Sequence, residues 1–137
     1  MSPNEISAIP LFRDLGRSGR AELANLVDRV TAPAGKVIAR QGATAHEFFV
    51  ILDGTVDVLR NGRVVTTLGP GEFFGEIALM EDPRRTATIV AASDVDLAVI
   101  GRREFHSMLS RFPELASTLL ATATRRVVAD LRAAEAA

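Results

Sequence analysis

GEFFGEIALMEDPRRTAT, residues 71–88, places a glycine, a carboxylate and an arginine around one small space. Gly75 has no Cβ, so its backbone can approach a ligand closely. The apolar run at residues 76–80 predicts one helical turn, and the first N–H groups of that turn are free to face an anion. Arg85 carries a planar guanidinium that suits bidentate contact with a phosphate. Glu76 has the wrong sign for a phosphate and the right chemistry for a sugar hydroxyl, so the segment predicts a ligand that contains both groups.

The same segment resembles the phosphate-binding cassette of cyclic nucleotide-binding domains. That pattern is Phe-Gly-Glu-(Leu/Ile)-Ala-Leu, a short variable loop and Arg-(Ala/Ser/Thr)-Ala-(Thr/Ser), which residues 74–79 and 85–88 match. A long pattern with fixed spacing is far more specific than a lone glycine motif. The resemblance implies that Arg85 binds the exocyclic phosphate oxygens and that Glu76 binds the ribose 2′-hydroxyl. It also implies that the backbone amides of Ile77, Ala78 and Ala87 complete the cradle.

Each charged residue of the cassette also has a simpler interpretation. Taken singly, Glu76 and Arg85 are typical of exposed surface charges, which contribute little to stability. Their place beside Gly75 and Ala87 inside a complete cassette favours ligand-facing roles instead. Thr86 leaves two interpretations open, since its hydroxyl could contact the phosphate or a syn guanine, while a β-branched residue also simply suits a strand. It therefore does not decide between adenine and guanine.

Two further groups of residues are candidates for the pocket. Val58, Leu68 and Phe74 are expected to line an apolar slot for the purine and sugar, and the same side chains can serve the core because the barrel wall is also the pocket wall. The resemblance implies that the last helix folds over the pocket and caps the base. The residues in that stretch are Arg125, Arg126, Asp130, Leu131 and Arg132. The alternative is an amphipathic helix with an ordinary charged face.

Hydrophobic periodicity predicts a mainly β protein of the α+β class, built as one domain over residues 1–137. Helical spacing of Leu23, Leu26, Val27 and Val30 predicts N-terminal helices within residues 5–29, with Ser18 as a candidate cap. Residues 30–101 show short glycine-punctuated apolar runs, which predict an eight-stranded antiparallel β-roll or jelly-roll barrel around the cassette at residues 74–88. Residues 102–137 return to a helical period and predict two C-terminal helices, and the resemblance implies that they act as the lid.

Several elements are specific enough to place. Residues 48–52, 89–91 and 96–100 are expected strands, and residues 55–68 form a hairpin because the Asn61-Gly62 pair suits a type I′ turn. Phe105, Met108, Leu109 and Phe112 form a complete apolar stripe on the first C-terminal helix. Pro113 separates this helix from a second one at residues 114–134.

Composition excludes several classes of function. The net charge of −1 gives no general attraction to nucleic acid or to anionic membranes. Cysteine is absent, which excludes disulfides, thiolate metal sites and cysteine nucleophiles. No apolar run approaches the ~20 residues of a membrane span, and the N-terminus lacks the pattern of a signal peptide. We therefore expect a cytoplasmic protein with no membrane span.

The function expected from the sequence is sensing of a cyclic nucleotide, with cyclic AMP favoured over cyclic GMP, and without a cofactor or catalysis. A metal-dependent barrel enzyme of the cupin type would need a cluster of three or four ligands, usually several histidines, and His46 and His106 are the only two histidines. Direct DNA binding is not expected, because no helix-turn-helix follows residue 132. The partner is then a separate protein effector or a fused output domain such as a channel. An interaction module that has lost ligand binding, and a barrel enzyme, are the alternatives.

Overall fold

The computed structural model describes residues 1–80 and 84–136, so residues 81–83 of the cassette and residue 137 of the last predicted helix lie outside the described part. The helices are α1 Pro3–Ser7, a 3-10 turn at Pro10–Phe12, α2 Arg17–Ala24, α3 Glu76–Met80, α4 Arg102–Arg111 and α5 Pro113–Ala136. The strands are β1 Asp28–Ala32, β2 Val37–Ala39, β3 Glu47–Asp53, β4 Val56–Arg60, β5 Arg63–Leu68, β6 Phe73–Phe74, β7 Thr88–Ala91 and β8 Val95–Gly101. These elements confirm the predicted fold class, with eight strands between N-terminal and C-terminal helices.

The strands form two four-stranded sheets, ordered β1-β8-β3-β6 and β2-β7-β4-β5. Neighbouring strands within each sheet pair in the antiparallel direction. The turn between β4 and β5 is the predicted type I′ hairpin. Asn61 and Gly62 both adopt positive φ, at 54° and 81°, and Arg60 pairs with Arg63 directly across the turn. This hairpin matters for function because β4 and β5 form one wall of the pocket described below.

The central strands of the first sheet, β3 and β8, are buried on both faces. In β3, Phe48 and Val50 face a core made with the helices, while Phe49 and Ile51 face the core between the two sheets. Because side chains alternate along a strand, only a continuous apolar run can fill both cores. That requirement explains the run at residues 48–52, which was predicted as a buried strand.

The N-terminal prediction was wrong in two details. β1 begins at Asp28, so Val30 lies on a strand and is 46% exposed rather than on a helix face. The residue that caps α2 is Gly16, and Ser18 lies inside the helix. Helical and strand spacings cannot be separated over so few residues, and the pairing of β1 with β8 decided the outcome.

The two C-terminal helices follow the prediction. Phe105 and Met108 of α4 are fully buried, and Pro113 opens α5 at its first position. Early α5 packs into the helical core through Leu115 and Leu119, while its later part continues across the pocket. None of the described helices is both long enough and apolar enough to cross a bilayer.

Candidate functional site

A cavity of about 700 Å³ lies between the second sheet, the cassette and α5. Strands β4 and β5 form one wall, β6 and α3 form the floor, and α5 closes the opposite side. This volume falls in the ordinary range for small-molecule sites in proteins.

Gly75 and Arg85 fit together at the floor of the cavity. Gly75 has φ of +98°, and a Cβ built there would lie 2.7 Å from Arg85 Nη1 and 3.0 Å from the Glu47 carbonyl oxygen. The glycine is thus needed both for its backbone conformation and for the space that the guanidinium occupies. Arg85 Nη2 donates to the Glu47 carbonyl at 2.7 Å, and the guanidinium carbon lies 5.6 Å from the centre of the Phe49 ring. These contacts hold a buried cation in a fixed orientation.

Glu76, the first residue of α3, is fully buried. Its Oε1 accepts a hydrogen bond from Arg126 Nη1 of α5, and Arg126 Nη2 also donates to the Phe73 carbonyl at 2.8 Å. Burial raises the pKa of the Glu76 carboxyl, while the charges of Arg126 and, more weakly, Arg85 oppose that rise. Burial likewise lowers the pKa of Arg85, and the carboxylates of Glu47 and Glu76 oppose that change.

Two buried polar atoms in this cavity have no hydrogen-bond partner among the residues that the structure describes. They are Glu76 Oε2, an acceptor, and Arg85 Nη1, a donor. Leaving such a group unpaired costs about 1–3 kcal/mol and more when it is charged. A ligand that offers a hydroxyl to the carboxylate and an anionic oxygen to the guanidinium would satisfy both.

A second ion pair ties α5 to the sheet. Arg60, the last residue of β4, pairs through Nη1 with Asp130, which lies one helical turn beyond Arg126. Arg60 Nε also donates to the Thr86 carbonyl at 3.1 Å. Helix α5 is therefore attached to Glu76 at one side of the cavity and to the end of β4 at the other.

The structure brings twelve of the predicted site residues to this one cavity. Those residues are Val58, Leu68, Phe74, Gly75, Glu76, Ile77, Ala78, Arg85, Thr86, Ala87, Arg126 and Asp130. The ring of Phe74 also stacks on that of Phe49 in the core, with the ring centres 4.8 Å apart, so this side chain both lines the cavity and packs in the core. Of the other lid candidates, Arg125 lines the cavity, whereas Leu131 and Arg132 do not and are exposed.

Some lining residues were not predicted. Arg60, Phe73, Thr122 and Ala129 are the most notable of these. Thr122 and Ala129 share a face of α5 with Arg126, so helical spacing from Arg126 was a signal that could have found them. Arg60 offered no local signal, because its role depends on Asp130, 70 positions later. In residues 1–80 and 84–136, no group of three or more His, Asp or Glu side chains is placed to hold a metal ion.

The family model of the cyclic nucleotide-binding domain matches residues 29–112. The chain belongs to that family. It is 37% identical over 121 residues to a cyclic nucleotide-gated potassium channel of Rhizobium etli, an alignment that covers 88% of this chain and 34% of the channel. A cAMP-dependent protein kinase regulatory subunit of Schizosaccharomyces pombe is 32% identical over 111 residues, covering 80% of this chain and 27% of the subunit.

The fold has close counterparts among solved structures. The cAMP-bound PfPKA-R fragment 141–441 superposes with a TM-score of 0.79 at 22% identity, over 94% of this chain and 45% of that one. At that identity the likeness concerns the fold alone. The chain spans between a quarter and about a third of the length of the curated relatives above. This family membership identifies the cavity as the candidate nucleotide site.

Proposed function

We propose that this cyclic nucleotide-binding domain binds cyclic AMP in the 700 Å³ cavity, with cyclic GMP as the alternative ligand. The observation that carries the proposal is the pair of buried, unpartnered atoms in the described part of the cavity, one on Glu76 and one on Arg85. A cyclic nucleotide offers a ribose hydroxyl and a phosphate on one rigid frame, so it can satisfy both atoms at once.

Each part of the ligand has a proposed contact. Arg85 takes the exocyclic phosphate oxygens together with the backbone amides of Ile77, Ala78 and Ala87. Glu76 accepts from the 2′-hydroxyl through Oε2, so Arg126 can keep its bond to Oε1. The purine then lies along the apolar wall formed by Val58 and Leu68, beneath α5. Thr86 stands at the same wall, and its hydroxyl is compatible with either purine.

The proposed output is a shift between conformational populations rather than a chemical reaction. Ligand bound to the cassette stabilises the position of α5 over the cavity, because α5 already contacts the cassette carboxylate through Arg126. A ligand shifts such an equilibrium only by its difference in affinity for the two states, and couplings of about 1–3 kcal/mol are typical. The effector is either a separate protein or a domain fused to this one, in a cytoplasmic setting.

Calorimetric titration tests the proposal, with cyclic AMP, cyclic GMP and linear 5′-AMP as three ligands. We expect micromolar or tighter binding of one cyclic nucleotide and at least about tenfold weaker binding of 5′-AMP, since one decade corresponds to about 1.4 kcal/mol. The 2′-deoxy form of the preferred ligand should also bind more weakly, because Glu76 Oε2 would remain unpaired. No heat from any cyclic nucleotide, in folded protein shown free of copurified nucleotide, would instead favour a module that has lost ligand binding.

A further inference from the structure

Arg60 connects three segments that are far apart in the sequence. It ends β4, its Nε donates to the Thr86 carbonyl at 3.1 Å, and its Nη1 pairs with Asp130 of α5. The side chains of Arg60 and Asp130 are 25% and 35% exposed, so the pair lies at the edge of the cavity rather than in its floor. A guanidinium can make both contacts together because its donors point in different directions from one rigid plane.

The contact with Thr86 acts on the cassette. Thr86 directly follows Arg85, and the Thr86 carbonyl shares a planar peptide group with the Ala87 N–H. Fixing the direction of that carbonyl therefore fixes the direction of the N–H as well. This N–H is one of the donors assigned above to the ligand phosphate.

The contact with Asp130 acts on the lid. Asp130 is four residues after Arg126 and thus lies on the same face of α5. Arg126 bonds the Glu76 carboxylate, while Asp130 bonds Arg60. Any rotation or lifting of α5 that separates Asp130 from Arg60 removes one of the two contacts that hold the Arg60 side chain. The remaining contact of Arg60, to the Thr86 carbonyl, then holds the Thr86–Ala87 peptide less firmly.

We propose that Arg60 is a positioning residue that couples the phosphate segment to the lid helix, so that bound nucleotide is retained longer. The inference rests on the proposed function. Arg60 couples the two segments through the Thr86 carbonyl on one side and the Asp130 carboxylate on the other. Its loss should speed nucleotide dissociation about threefold to tenfold and leave association nearly unchanged. The effect is modest because partly exposed ion pairs contribute little on their own.

Stopped-flow kinetics on the full chain test this coupling with Arg60→Gln, Asp130→Asn and the double variant, using the cyclic nucleotide that calorimetry identifies. Arg63→Gln is the matched control, since Arg63 faces Arg60 across the same hairpin turn and is exposed. Arg60→Gln should raise the dissociation rate more than Asp130→Asn, because it removes both contacts. Asp130→Asn should add nothing further once Arg60 is already replaced. Two independent, purely structural effects would instead multiply, and that outcome would overturn the inference.

Hydrogen exchange without nucleotide gives a second, ligand-independent readout. Backbone amides at residues 126–132 and 86–88 should exchange faster in Arg60→Gln than in the wild-type chain, and Arg63→Gln should match the wild type. Unchanged exchange in both segments would refute the coupling even if nucleotide binding were normal. Absence of nucleotide binding in the wild-type chain would refute the proposed function, while exchange would still decide whether Arg60 links the two segments.

Discussion

The floor of the cavity and its lid are built on different principles. The floor comes from one short segment, and its two charged groups, Glu76 and Arg85, are buried and keep one unpartnered atom each within the described residues. The lid comes from a helix that starts in the hydrophobic core, and its charged groups Arg126 and Asp130 are partly exposed and paired to the barrel. Under the proposed function the floor supplies the ligand contacts, whereas the lid supplies contacts between parts of the protein.

This difference predicts that substitutions in the floor weaken nucleotide binding more than substitutions in the lid do. Removing a group from the floor leaves the ligand without a partner in a dry environment, where charged contacts are worth most. Removing a group from the lid weakens a partly hydrated ion pair, for which water substitutes in part. The following substitutions test that contrast, in order of decreasing expected effect.

Arg85→Ala should weaken nucleotide binding by about 2–5 kcal/mol, as expected when one partner of a buried charge contact is truncated. The side chain also donates to the Glu47 carbonyl and lies over Phe49, so stability should fall by about 1 kcal/mol. Calorimetry measures the first quantity and thermal unfolding the second. Arg63→Ala serves as the control for loss of a cation, and an unaltered affinity in Arg85→Ala would remove Arg85 from the site.

Gly75→Ala should lower the free energy of unfolding by about 1–3 kcal/mol, because alanine is strained at φ of +98°. Its Cβ would also meet Arg85 Nη1 at 2.7 Å, so binding should weaken as the guanidinium is displaced. Gly35→Ala is the matched control, since Gly35 has φ of +89° but open space around the added Cβ. If both variants bind nucleotide equally well, the close fit between Gly75 and Arg85 does not serve the ligand.

Arg126→Gln should weaken binding by about 1–2 kcal/mol, because Glu76 Oε1 loses its charged donor and α5 loses one attachment. Arg125→Gln provides the comparison on the adjacent residue, whose guanidinium donates to Thr122 of its own helix. That change should alter affinity by no more than a few tenths of a kcal/mol. Equal losses of affinity in the two variants would argue that the total charge of α5 determines binding, rather than the pair between Arg126 and Glu76.

Glu76→Gln should change the pH dependence of stability. Since burial raises the pKa of Glu76 above 4.5, the folded state holds this proton more tightly than the unfolded state. The resulting stabilisation is complete below pH 4.5 and is lost as pH rises through the folded-state pKa. The difference in unfolding free energy between wild type and Glu76→Gln, measured from pH 4 upward, should show this loss, whereas a pH-independent difference would contradict it.

Much of the fold was predictable because its signals are local. The Asn61-Gly62 turn, the run at residues 48–52 and the proline that opens α5 each follow from the conformational preferences of a few neighbouring residues. The cassette is local as well, with Gly75, Glu76 and Arg85 inside eighteen residues. At Val30 the local signal was ambiguous, and the prediction failed because pairing between β1 and β8 outweighed helical periodicity. At Ser18 it failed because α2 begins earlier, with Gly16 as its N-cap.

The sequence by itself determined the class of fold, the family and the residues expected at the cavity floor. Tertiary structure alone decided that Arg126 pairs with Glu76, that Asp130 pairs with Arg60, and that Arg60 also reaches Thr86. These contacts join residues 26 to 70 positions apart. The two ion pairs among them depend on the rotation and crossing direction of α5, which is anchored in the helical core by Leu115 and Leu119. Short-range patterns in a sequence carry no information about such an angle, so only the packed structure could supply it.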